Sequence, residues 1–390
     1  MFRFLTSGES HGPGLTAIIE GIPAGLKVLA ADVDIHLQRR QGGYGRGGRM
    51  KIERDRVTFR SGVRHGLTLG SPITLEVENR DWQNWQVKMS VAEVEEEVEP
   101  VTLARPGHAD FAGSIKYGHD DIRNVIERSS ARETATRVAV GALCMIFLRQ
   151  FGIEIHSHVL AIGPAADASN SAIDRHFDET YWQQVEQSPV RCGDAALSEQ
   201  MIAYIQDSKT RADTCGGIFE VVASGVPIGL GSYSQWDRRL STRISAALMS
   251  IPSIKGVEIG NGFEQSRLPG SQVHDVIQYD EKLGWQHRTN HAGGVEGGIS
   301  NGEPIVARAA VKPISTLAHP LPTVDIRTRE NVSEGRYERS DVCVVPAAGV
   351  VGESMLAIAL TEAWLEKFGG DSMPETLANF KAYVATIQSW

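Results

Sequence analysis

The chain has 390 residues, 41% of them hydrophobic and 22% charged, with a net charge of −9. These are ordinary globular proportions, which exclude a chain that is disordered, collagen-like or coiled-coil as a whole. The negative balance disfavours a generic nucleic-acid binder. The 40 glycines are an excess that implies many tight turns and close backbone approaches.

In chain order, residues 15–23, apolar and β-branched after a glycine-rich turn, predict a strand, and 32–40 a short helix. QGGYGRGGR, 41–49, is a loop, because glycine at that density stabilises neither helix nor strand. Residues 57–63 and 72–77 predict strands. The run 91–100, with five glutamates, predicts an exposed helix without chemistry. ARPGHADFAGSIKYG, 104–118, is broken by Pro and Gly and predicts a loop or broken helix. The clearest helix starts at Ser129 or Ser130, with Ser130 and Glu133 at capping-box spacing, and Gly152 is its stop. Residues 219–228 and 304–314 predict strands. Residues 352–368 predict a second strong helix closed by Gly369 and Gly370, and a last helix follows Pro374. Strands and helices mix without regular alternation, which favours α+β over a doubly wound sheet. With no linker and no repeat, a single domain over 1–390 is expected.

Cys144, Cys192, Cys215 and Cys343 show neither a CxxC pair nor regular spacing, so no disulfide framework or zinc ribbon organises the fold. A reducing, cytoplasmic setting fits them. The longest apolar run, 138–148, is short of the ~18 residues that span a bilayer, and the N-terminus does not read as a signal peptide, so no membrane partner is expected.

Arginine outnumbers lysine 29 to 10, and eight arginines crowd 39–64 against Glu53 and Asp55. Arginine suits bidentate binding of carboxylate and phosphate, so the block suggests an anion site; a solvated basic face is the plainer alternative. Several motif matches fail on context. Gly43, Gly45 and Gly48 satisfy GxGxxG, but a helix precedes them and a strand-like segment follows, the reverse of a dinucleotide fingerprint. The same stretch is one short RGG-like copy in an acidic chain, so no nucleic acid is expected. GxSxG occurs at 8–12 and again at 298–302, neither time between a strand and a helix. His156 and His158 share strand spacing and His287 and His291 helical spacing, but no acidic third ligand accompanies either, and no metal is expected.

Three segments combine reactive side chains with Gly or Ser. Ser10-His11 lies in a glycine-rich turn, where backbone can approach a ligand, or where a histidine is simply satisfied locally. Arg105 and His108 stand together in ARPGHAD, and an arriving anion would shift such a histidine toward its charged form. Arg128-Ser129-Ser130-Ala131-Arg132 places hydroxyls and free N–H groups at a helix start, an anion site or an ordinary cap. Arg339-Ser340-Asp341 is a similar cluster ahead of a buried helix.

Together these segments resemble the chorismate synthase family. Residues 8–12 and the strand after them resemble its first signature, ERSSARETAT (127–136) its second, and Arg339-Ser340-Asp341 leading into 352–356 its third. Arg40, Arg46, RPGHAD, KGVE (255–258), NHAGG (290–294) and Lys312-Pro313 follow in family order, from about residue 3 to 368. The resemblance implies a β-α-β sandwich of antiparallel sheets with surrounding helices. It implies a carbon–oxygen lyase that turns 5-enolpyruvylshikimate 3-phosphate into chorismate and phosphate, by an anti-1,4-elimination that needs reduced FMN. It implies a homotetramer. It places Ser10, Arg40, Arg46, Arg49, Arg105, Arg132 and Arg339 on substrate. His11 assists phosphate departure, His108 serves the reduced flavin, and Asp341 works with the flavin in removing the ring proton. FMN contacts fall to Arg128, Ser129, Ser130, Ser253, Gly297, Lys312, Pro313, Ile314, Ser315, Thr316 and Arg339. Pro252-Ser253 departs from the alanine several members carry before KGVE. NADPH enters only if the chain reduces its own flavin. A flavin reductase, or an anion- or RNA-binding protein without elimination activity, stays open as the alternative.

Overall fold

A computed structural model of the chain describes all residues except 49–51, 167–170, 172, 174–176, 283 and 339. Arg49 and Arg339 therefore lie outside the described residues. Strands β1 (Arg3–Ser7) and β2 (Gly14–Glu20) lead to helix α1 (Ala30–Gln41), then to β3 (Val57–Ser61) and β4 (Ile73–Glu78). Helices α2 (Asp110–Tyr117), α3 (Arg123–Ser129) and α4 (Thr134–Arg149) precede β5 (Glu154–Ile162) and β6 (Ala165–Ala166). Helices α5 (Glu179–Gln187) and α6 (Ala195–Thr210), β7 (Gly217–Ser224), α7 (Leu240–Met249), β8 (Ile254–Ile259) and β9 (Ile305–Val311) follow. Helices α8 (Val345–Phe368) and α9 (Met373–Gln388) close the chain.

The first sheet has order β1-β2-β4-β3 and the second β8-β9-β7-β5-β6, with antiparallel pairing throughout. Helix α4 packs on β2 and β4 of the first sheet, α8 packs on β5 and β7 of the second, and the two helices pack on each other. The result is an α+β sandwich whose apolar core fills the helical layer between two sheets. Each sheet turns one face inward, so its strands alternate: Leu15, Ala17 and Ile19 of β2 are buried while the residues between them are not. Both core helices are buried nearly all round. Their close packing rests on glycine: between the helices a Cβ at Gly141 would lie 2.3 Å from Ser354 Cβ, and between α8 and β7 one at Gly352 would lie 2.5 Å from the Phe219 ring. Among the described residues, α8 is long and apolar enough to cross a membrane, yet 89% of its most apolar stretch is buried within the protein.

Four expectations are corrected. The glutamate run 91–100 forms no helix. Glu93, Glu96 and Glu97 would stack like charges one turn apart, with no apolar stripe to dock. Helix α8 starts at Val345 rather than 352, because Pro346 suits a first helical turn and its glycines pack against neighbours instead of ending the helix. Ser130 caps a 3-10 turn, Ala131–Glu133, by accepting from the Arg132 N–H, while Glu133 pairs with Arg137 rather than closing a capping box. His287 ends a short strand, Gly284–His287, so its spacing from His291 is not helical.

Candidate active site

The site is built at the junction of the β1–β2 turn, the start of α4 and two long loops. The turn needs glycine: Gly8 has φ +101°, and a Cβ there would sit 2.3 Å from the Gly14 carbonyl. Ser10 follows, buried, donating through Oγ to Ser130 Oγ at 3.0 Å and through N–H to the Glu127 carbonyl at 3.0 Å. Asn79, at the end of β4, donates to the carbonyls of Glu9 and Gly12 and accepts from Arg132 Nε, so one amide ties the turn to the arginine cluster. A cavity of about 600 Å³ opens beside it, lined by Asn79, Arg80, Trp82 and Gln86 among others.

His11 is clamped from α3. Glu127 accepts from the His11 N–H at 2.7 Å and lies 2.8 Å from Nδ1. Trp85 stacks on the His11 ring with centroids 3.9 Å apart. Arg123 reaches both Glu127, at 3.3 Å, and Glu338, at 3.0 Å. Burial alone would raise the Glu127 carboxyl, but its hydrogen bonds with His11 hold it below its ordinary value, so it stays ionised.

The arginines gather around Asp55. Arg132 meets it at 2.6 Å and Arg40 at 3.4 Å, and Arg40 also donates to Thr134 Oγ1 and the Ala131 carbonyl. Arg40 is 4% exposed. Burial pushes its guanidinium down, Asp55 offsets part of that, and the facing Arg132 and Arg46 push further, leaving it at about 10. Arg46 comes from the glycine-rich loop, 3.4 Å from Asp341 Oδ2. That loop is docked: Asp341 Oδ1 accepts from the Gly47 N–H at 2.5 Å, and Gly45 accepts from the Val342 N–H at 2.8 Å.

The ARPGHAD loop forms the second wall. Asp110 opens α2 with its side chain fully buried, 2.8 Å from Arg105 Nε and 2.5 Å from His108 Nδ1. Burial would raise the Asp110 carboxyl; the bonds from His108 and Arg105 hold it well below the usual carboxylate range. Arg105 also donates to Thr316 Oγ1 at 3.1 Å, and Lys312 Nζ to the Gly107 carbonyl at 2.6 Å, which brings 312–316 to this wall. The two walls meet through one strand-like segment, since Thr214 donates to the Ile314 carbonyl and its neighbour Cys215 to that of Val342, next to Asp341.

Ser253, at φ +72°, accepts the Lys312 N–H at 2.9 Å. Arg128 holds the first turn, donating to the Thr6 and Gly8 carbonyls, and Ser129 Oγ bonds back to Val125 within α3. Gly297 sits at the tip of the turn between Val295–Glu296 and Ile299–Ser300, and no hydrogen bond among the described residues ties it to the 312–316 segment.

A family profile described as chorismate synthase matches residues 2–365. The chain belongs to the chorismate synthase family. It is accordingly a lyase of the shikimate pathway, and the family implies a reduced flavin cofactor. The chorismate synthase of Geobacter sulfurreducens is 52% identical over 399 residues, covering 100% of both chains. That of Syntrophotalea carbinolica is 55% identical over 390 residues, covering 99% and 98%. A solved structure titled "Crystal Structure of Chorismate Synthase" superimposes with a TM-score of 0.82 at 44% identity, covering 100% of this chain and 99% of that one. None of these relatives is named for flavin reduction or nucleic-acid binding. Against the family reading of the sequence, the geometry adds five residues: Glu127, Asp110, Asp55, Asn79 and Trp85. Glu127 opens the second signature and Asp110 ends ARPGHAD, so both were in view. A carboxylate two residues from a histidine was a readable signal; the reach of Glu127 across 116 residues to His11 was not.

Proposed function

We propose that the chain releases phosphate from 5-enolpyruvylshikimate 3-phosphate by a 1,4-elimination, yielding chorismate, with reduced FMN in the site. The observation that carries the reading is Arg40, a buried guanidinium pushed down to about 10 beside two other arginines. An arriving anion stabilises such a group, and this substrate brings a phosphate and two carboxylates. Ser10, Arg46, Arg105 and Arg132, with Arg49 and Arg339 from the sequence, complete the binding set.

Flavin fit is supported by Lys312, whose ammonium is lowered by burial and by the nearby Lys255, a pair that an anionic tail would relieve. Lys312 to Thr316, Ser253, Arg128 to Ser130 and Gly297 are the candidate FMN contacts. When bound, reduced flavin supplies the transient electron density that weakens the allylic C–O bond. The chain's own part is binding, orientation and proton handling. His11 presents its ring to the departing phosphate as acid or hydrogen-bond donor. His108, held through Nδ1 by Asp110 and flanked by Arg105, would protonate the reduced flavin or stabilise its charge. Asp341 would work with the flavin in removing the ring proton, on the face opposite the leaving group.

We also infer a single domain, since one apolar cluster runs from Phe2 to Met373, and a reducing, cytoplasmic setting, with which four free cysteines agree. Homotetramer assembly is supported by Leu5 and Ile18, cross-strand partners left exposed on the first sheet. The functional test is anaerobic. The protein is mixed with substrate and chemically reduced FMN, and chorismate and phosphate are followed together. Equal release of both, absent with oxidised FMN, is expected; no product with FMN bound contradicts the reading. Adding NADPH with oxidised FMN then tells whether the chain reduces its own flavin.

A further inference from the structure

The His11 ring is held by more than the turn that carries it. Glu127 uses one carboxylate oxygen for the His11 N–H, at 2.7 Å, and the other for Nδ1, at 2.8 Å. Its side chain is only 2% exposed, so no bulk water competes for those oxygens. An ionised carboxylate accepts and does not donate, so the proton on this bond sits on Nδ1. Nε2, the ring's other nitrogen, is then an acceptor in the neutral ring and an N–H in the cation. Trp85 covers one face of the ring and fixes its plane.

We infer that Glu127 is a positioning residue for His11, setting its tautomer and aiming Nε2 at the leaving phosphate. The inference rests on the role given to His11 above. Among the described residues, charged groups near the pair include Arg123, which bonds Glu127 and lies over Trp85, Glu338 behind Arg123, Lys88 over Trp85, and Glu9 in the same turn.

Glu127→Gln is the informative change because it keeps shape and inverts chemistry. The amide oxygen still accepts the His11 N–H. The amide NH2 then faces Nδ1 as a donor, so Nδ1 must accept, and the cationic ring loses its bond. Turnover is expected to fall about 10²-fold or more, with KM changed less than about threefold. Losing the neighbouring anion also removes a partner of the charged ring, so the pH profile of kcat is expected to differ from that of the wild type. Glu127→Asp, which keeps the charge, recovers part of the rate.

The test is a double-mutant cycle with His11→Ala, read by anaerobic turnover with reduced FMN, pH profile and FMN binding. A deep loss in Glu127→Gln that adds nothing in the His11→Ala background supports the inference. Normal turnover in Glu127→Gln, or a loss that simply adds to that of His11→Ala, overturns it while leaving the His11 role intact. Normal turnover in His11→Ala alone overturns that role and the inference with it. Should Glu127→Gln not fold, nitrogen NMR of ring-labelled wild-type protein decides, with His11 assigned by its absence in His11→Ala. A proton on Nδ1 supports the inference, and a bare Nδ1 with the proton on Nε2 overturns it.

Discussion

Arg39 and Arg40 are adjacent on α1 and point into two different charge networks. Arg39 enters a closed one. Its guanidinium meets Glu353 at 2.6 and 2.9 Å and Glu186 at 2.5 and 3.0 Å, and Arg191 meets the same two carboxylates from the other side. Two cations face two anions, with Ser157 filling one more acceptor site at 2.7 Å. Despite burial, Glu353 and Glu186 hold Arg39 above its ordinary value, and Arg39 and Arg191 bring the buried Glu353 down to about 2. Arg40 enters a looser network: its ion-pair contact to Asp55 is stretched to 3.4 Å, Arg132 shares Asp55 and lies 3.7 Å from Glu53, and Arg46 lies 3.4 Å from Asp341. The first network satisfies itself and locks α1 to α8 and the second sheet. The second gains by taking in an anion. Arginine count alone does not separate them; what matters is how tightly carboxylates close the shell, at 2.5–3.0 Å around Arg39 and at 3.4 Å for Arg40 and Asp55.

The comparison breaks most visibly at Glu353. Glu353→Gln leaves Arg39 and Arg191 buried with half their counter-charge, and is expected to cost about 3–5 kcal/mol in urea unfolding. Substrate KM of the folded enzyme should stay within about threefold.

Acid titration gives the next effect. His36 is buried beside Arg39, which donates to its Nδ1, and its ring is lowered from 6.5 to about 4. On unfolding, His36 takes up a proton anywhere between those values, so stability falls as pH drops from 6.5 to 4. Glu353 has its carboxyl lowered from 4.5 to about 2, so its stabilising contribution is present above 4.5 and is lost as pH falls toward 2. Each of these falls amounts to about 3 kcal/mol. Unfolding free energy measured against pH should show both falls, and His36→Asn should remove the upper one. Flat stability between 6.5 and 4.5 would count against a neutral, buried His36.

The smallest effect is on the surface. Arg3 and Glu20 pair across β1 and β2 at 2.5 Å in full view of solvent. Glu20→Ala should change stability by less than about 1 kcal/mol, less still at high salt.

Much of this was legible in the residues. The strands at 57–63 and 72–77, the helices at 32–40 and after Pro374, and the α+β class follow from periodicity and from glycine and proline placement. The family signatures marked where His11, His108 and Asp341 lie in the chain. What stayed hidden was partnership at long range. Nothing near Arg39 in sequence announces Glu186 or Glu353, 147 and 314 residues away, so it looked like part of one arginine block with Arg40. The start of helix α8 is hidden in the sequence because glycine in isolation signals a helix end, whereas here Gly349 and Gly352 make room for Ser157 and Phe219. The glutamate run was read as a helix because charge alone does not show whether a face will dock.

The most direct test of the looser network is a calorimetric titration of 5-enolpyruvylshikimate 3-phosphate into the FMN-loaded protein, wild type against Arg40→Met. Methionine replaces the guanidinium with an apolar chain that fills similar space. Binding about 10²-fold weaker is expected, with a melting temperature unchanged or raised. Unchanged affinity together with a lower melting temperature would place Arg40 with Arg39, as a strut of the fold and not a ligand for the substrate.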